Sequence, residues 1–189
     1  MLYVPKEDRE YLEPALATVT SVVIDKTNYV QVLQYALYRL ATSLYAKLRN
    51  VNHSANPFHL DMPLRESVRA AVDDLAEKIK ARTAEKNQQM YFVGLLNYST
   101  TELLLRAGLE ELRYWRGEVF KGINQIVAMT FWDEVKRHTL NDPFSTAIFS
   151  VLMNGVPHEF NRRLLDDYED IQILKNGDVG YWRFMPTDK

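Results

Sequence analysis

Four carboxylates fall within five residues near the end of the chain, Asp166, Asp167, Glu169 and Asp170. On a helix Asp166 faces both Glu169 and Asp170, because residues three and four apart are neighbours. A second acidic group is Asp73, Asp74 and Glu77, and a third is Glu7 with Glu10. Two such groups facing one another across helices could hold Mg²⁺ through oxygen ligands and orient a nucleotide pyrophosphate for hydrolysis. Against this stands the plainer reading of solvated helix faces. No two consecutive long helices carry the paired Glu-x-x-Glu and Glu-x-x-Asp spacing that such chemistry uses.

The second candidate is cationic. Arg162 and Arg163 stand close to Glu159, Tyr168, Glu169 and Asp170. Guanidinium groups hold carboxylates or phosphates through two parallel bonds, so Arg162, Arg163, Tyr168, Glu169 and Asp170 form a candidate site for a small anionic ligand. Helical spacing also pairs Arg162 with Asp166 and Arg163 with Asp167, an arrangement worth only about 0.3–0.5 kcal/mol per exposed pair. The histidines His53, His59, His138 and His158 fit no metal-ligand spacing. Gly-x-Ser-x-Gly, P-loop and Rossmann patterns are missing from a chain with seven glycines. The expectation is therefore no metal and no cofactor.

Helices must position these residues. In the run from Pro63 to Ile79, Leu64, Val68, Val72, Leu75 and Ile79 form one apolar stripe, with Pro63 suited to a helix start. Thr27 to Leu48 repeats the pattern, with Thr27 as N-cap, and Phe120, Ile123, Val127, Phe131 and Val135 make another stripe. His53 to Pro63 reads as a loop. Asn141-Asp142-Pro143 reads as a stop followed by a helix capped by Asp142, and Asn154-Gly155-Val156-Pro157 as a further break. At the end of the chain, the spacing of Phe160, Leu164, Tyr168 and Ile171 favours a helix stopped at Asn176-Gly177; a hairpin at that pair is the alternative. Tyr181, Trp182 and Phe184 would then pack back in an extended tail. The fold class is all-α, a bundle of about six or seven helices with a short extended C-terminal tail.

With 189 residues, 47% hydrophobic and 25% charged, the chain forms a single helical domain over 1–189. A candidate internal repeat relates 5–50 to 63–108. Arg9-Glu10 and Arg65-Glu66 open similar stripes, and Asn28-Tyr29 and Asn97-Tyr98 each open a new helix. The net charge of -2, without a basic block, argues against nucleic acid as partner. Charged residues 6–9 interrupt any N-terminal signal, no apolar run is long enough to span a membrane, and cysteine is absent. A soluble, cytoplasmic protein is the expectation. Three Trp, eleven Tyr and eight Phe would leave aromatic surface for self-association, so a homo-oligomer or protein partner is expected.

The stretch EFNRRLLDDYEDIQILKNGDV, Glu159 to Val179, resembles the closing signature of a family of short phage and bacterial helical proteins whose activity is uncharacterised. Leu96-Asn97-Tyr98 followed by Thr100 is similar to that family's earlier element. Gly155 and Pro157, and the length from Arg106 to Leu140, depart from its pattern. The resemblance implies a phage or prophage setting, and host cytoplasm as the location. The expected function is a phage-type helical binding or assembly protein. The alternatives are a pyrophosphohydrolase using helix carboxylates and a structural virion or assembly component.

Overall fold

The structure, a computed structural model, describes residues 4–24, 29–53, 56–108, 115–138 and 142–163. The described residues form helices and connecting loops, so the chain is all-α. In order they are α1 (Lys6–Ile24), α2 (Tyr29–Arg49), α3 (Met62–Glu85), α4 (Phe92–Gly108), α5 (Trp115–His138), α6 (Pro143–Ser150) and α7 (Val156–Asn161). Between α6 and α7 the backbone stays helical through a π turn, Val151–Gly155. Thr27, and everything after Arg163, lie outside the described residues; these include Tyr168, Glu169, Asp170 and the choice between helix end and hairpin at Asn176-Gly177.

The stripes become the core. Leu12, Leu16, Val19 and Val23 of α1 and Val68, Val72, Leu75 and Ile79 of α3 are each at most 1% exposed. Burial of each such side chain contributes about 1.5–3 kcal/mol. Helix α3 packs against α1 and α2, α4 lies on α1, and α5 on α2. The helical run 143–163 closes the bundle against α4 and α5. Asn50 and Asn87, at φ 54° and 49°, end α2 and α3 in the left-handed conformation that asparagine tolerates. Pro63 stands in the first turn of α3, as its fixed φ requires.

Ion pairs clip neighbouring helices together. Arg39 of α2 grips Asp73 of α3 through two bonds, Nε–Oδ1 at 3.0 Å and Nη2–Oδ2 at 2.8 Å. Lys47 of α2 meets Glu77 of α3 at 2.8 Å. At the other end of α3, Arg82 and Tyr91 both donate to Asp8 of α1, which is fully buried.

Several expectations are corrected. Asn97-Tyr98 does not open a helix; it lies inside α4, which starts at Phe92. Asp142 occupies the N-cap position of α6 but its carboxylate caps nothing. It turns instead to Arg49, 3.4 Å away, and the backbone carbonyl of Asp142 accepts from Ser145 and Thr146. Among the Phe, Tyr and Trp residues whose burial is described none is exposed; the large exposed apolar side chains there are aliphatic or Met.

A further correction concerns Gly155 and Pro157, which do not break the chain. Gly155 and Val156 keep right-handed helical angles, φ -64°, ψ -53° and φ -65°, ψ -48°. Proline inside a helix lacks a donor and crowds the carbonyl four residues back. The π turn absorbs that defect by shifting the bonding register, with Val156 N–H reaching back to the carbonyl of Val151. The Leu152 carbonyl loses Val156 as donor and gains none from Pro157. Asn124, buried on α5, donates its side-chain amide to that carbonyl.

Candidate functional site

The π turn borders an open cleft of about 650 Å³, within the size range of a ligand site. One wall comes from the start of α4 and the turn before it: Met90, Val93, Gly94 and Asn97. The other comes from α6, the π turn and α7: Ala147, Ser150, Val151, Asn154, Gly155 and His158. Small residues make the hollow. Gly94 faces the run Ala147, Ser150 and Gly155, so two helices pass without side chains filling the space between them.

Asn97 marks the floor. Its Oδ1 is shielded from solvent and has no hydrogen-bond partner. A Cβ placed on Gly155 would fall 3.3 Å from that oxygen, so the glycine lets α4 and the π turn approach to this distance. An amide oxygen buried without a donor costs about 1–3 kcal/mol, and a ligand N–H or O–H reaching it would recover part of that. Asn154 and His158 stand exposed at the rim and add further hydrogen-bonding groups. Apart from these and Ser150 the lining is apolar, and it holds no Asp, Glu, Lys or Arg.

Arg162 and Arg163 lie outside this lining, in a charge network that ties three helices. Both bond back to Glu159, which is only 4% exposed; Asp166 and Asp167 lie outside the described residues. Arg162 bonds it at 2.8 and 3.1 Å, and Arg163 at 2.6 Å. Arg163 also crosses to Glu102 of α4 at 2.6 Å. Glu102 bonds Arg106 at 3.3 Å, and Arg106 reaches Glu13 of α1 at 2.6 and 2.9 Å. The Arg162 hydrogen bonds hold the Glu159 carboxyl below the usual carboxylate range, with Arg163 adding to them against the opposing effect of burial. For Arg163, burial acts to release the proton, and its bonds to Glu159 and Glu102 outweigh it and raise the pKa. Arg162 keeps half its side-chain surface in solvent.

The acidic group on α3 is occupied by cations: Asp73 by Arg39 and Glu77 by Lys47. Asp74 is exposed. Among the described residues no set of three or more His, Asp or Glu is placed to hold a metal ion. No helix of the described residues is long and apolar enough to cross a membrane.

Some of these residues carried a signal in the sequence. Glu102 and Arg106 stand four apart, a helical ion-pair spacing. Asn124 interrupts the apolar stripe between Ile123 and Val127 as a buried amide. Asn154 and Ser150 had none, because what makes them line a cleft is the approach of α4.

Fold and site together define an all-α chain with an uncharged interhelical cleft beside a π turn. Compared with known proteins, the chain matches no family, no curated protein and no solved structure.

Proposed function

We propose that this chain is a binding protein whose cleft between α4 and the π turn takes a compact, uncharged and largely apolar ligand. The observation that carries the reading is Asn97, a lining residue whose amide oxygen has no hydrogen-bond partner, in an uncharged hollow whose other polar side chains are Ser150, Asn154 and His158. Such hollows, with a few placed polar groups, are the usual form of small-molecule sites. With its amide turned into the cleft Asn97 would accept from the ligand, and Asn154 and His158 would orient its outer end. A small anion fits less well in the cleft, which offers it no arginine or lysine. Hydrolysis of a nucleotide is disfavoured by the pairing of Asp73 and Glu77 with α2 cations. The phage setting belongs to this proposal only through the resemblance of Glu159 to Val179 and of the Leu96-Asn97-Tyr98 element.

The test is a fragment screen followed by amide NMR, run with uncharged fragments and with nucleotides. Uncharged fragments should shift the resonances of Val93, Gly94, Asn97, Asn154 and Gly155, and Ser150→Trp should abolish those shifts by filling the cleft from its exposed edge. Shifts confined to Arg162 and Arg163 on addition of nucleotides would replace this reading with the anionic one.

A further inference from the structure

Helix α5 carries an apolar stripe that no other described element covers. Phe120, Ile123, Val127, Phe131 and Val135 turn into the core. On the opposite face Val119, Ile126 and Met129 are 52%, 53% and 49% exposed. Gly122 lies on the same line, and a Cβ there would meet nothing within 4 Å. The spacing of Val119, Gly122, Ile126 and Met129 is three, four, three, the seam of paired helices. Asp133, the next position in that spacing, is exposed and ends the apolar run.

We infer that α5 pairs antiparallel with α5 of a second copy of this chain, Ile126 of each copy seating on Gly122 of the other. The stripe is symmetric about Asn124. Gly122 and Ile126 lie two residues to either side, and Val119 and Met129 lie five to either side. A two-fold axis at the level of Asn124 therefore sets Ile126 level with Gly122 and Val119 level with Met129. Such an isologous contact uses one patch twice. A large side chain meets an open glycine at both central positions, which lets the helices approach closely.

Charge selects the same orientation. Parallel pairing would set Glu118 beside Glu118, Asp133 beside Asp133 and Lys136 beside Lys136, and would put Ile126 on Ile126 with a void at each glycine. Antiparallel pairing sets none of these charges level with its own kind. It also sets Glu118 level with the uncharged Thr130 of the other copy and opposes the helix dipoles. The seam from Val119 to Met129 runs about 15 Å. Three half-exposed side chains fall short of the roughly 800 Å² per partner of a stable complex, so the dimer is weak and dissociates on dilution. This inference does not depend on the cleft, which lies on other elements.

Because the chain has no cysteine, single thiols can be placed at will. Val119→Cys and Met129→Cys are made separately in the full chain and oxidised alone and as an equal mixture, alongside sedimentation over a wide concentration range. The dimer fraction should rise with concentration, and the mixture should cross-link several-fold more than either variant alone. Gly122→Leu and Ile126→Asp, both at surface positions, should weaken the dimer at least tenfold while circular dichroism stays helical. A monomer at every concentration would overturn the inference and assign the stripe to another partner or to residues 164–189. Equal self-cross-linking of each thiol variant would overturn the antiparallel order, and a dimer indifferent to Gly122→Leu and Ile126→Asp would move the interface elsewhere.

Discussion

Asn124 of α5 donates its side-chain amide to the carbonyl of Leu152, the group that the π turn and Pro157 together leave without a backbone donor. Both residues are fully buried, so no water replaces the bond if it is lost. Asn124→Ala should cost about 2 kcal/mol, the usual penalty for an orphaned buried carbonyl. Urea unfolding of the two proteins at equal m-value measures it, and an unchanged midpoint would show that the π turn stands without Asn124.

Gly155 and Asn97 make a second, separable prediction. Alanine in a helix is favoured over glycine by about 1 kcal/mol, but its Cβ at 155 would press on Asn97 Oδ1 at 3.3 Å. Gly155→Ala alone should therefore lower the unfolding midpoint. In an Asn97→Ala background the same change should raise it, with a coupling of about 1–2 kcal/mol in the double-mutant cycle. Additive effects would mean that the two residues do not constrain each other.

What was legible in the sequence follows the range of the interaction that decides it. The stripes of α1, α3 and α5 were readable because burial repeats with the helical period, and Pro63 because its conformation is local. Gly155-Val156-Pro157 looks like a break, since nothing nearby in the chain reveals that Asn124, some thirty residues earlier, holds the carbonyl that proline leaves open. The pairing of Arg163 with Glu102 was out of reach for a related reason, since Glu102 comes from another helix. Asp166 and Asp167 lie outside the described residues; among the described ones both arginines bond Glu159, three and four positions back. The cleft had no local signature, because its walls lie on segments fifty or more positions apart.

Asp8 supplies a pH-dependent prediction in the acid range. Burial alone would push its carboxyl up, but hydrogen bonds from Tyr91 and Arg82 outweigh it and hold the pKa below the ordinary 3.8. The unfolded chain therefore takes up the proton first on acidification. The stability Asp8 contributes is fully present above about pH 4 and fades as pH falls through its lower native value. Asp8→Asn should cost about 3 kcal/mol at pH 7, as the loss of one partner from a buried ion pair does. That difference should shrink below pH 4, and a difference constant with pH would assign the loss to packing.

His53 titrates in a separate window. Its side chain is 8% exposed, both ring nitrogens lack hydrogen-bond partners, and it lies edge-on to Tyr38 and His138. Burial, helped by Arg39 and His138, lowers its pKa from 6.5; the carboxylate of Glu134, 3.9 Å away, only partly opposes this. The unfolded chain then binds a proton near pH 6.5 that the folded chain refuses. Stability is present above that pH and is lost as pH falls below it, with a slope of at most about 1.4 kcal/mol per pH unit. His53→Phe keeps the ring contacts and removes the titrating group, so its unfolding free energy should be flat from pH 6.5 to 5 while the parent's declines. Matching slopes in the two proteins would assign the decline to other groups, with His138, held 3.0 Å from Glu134, the next to substitute.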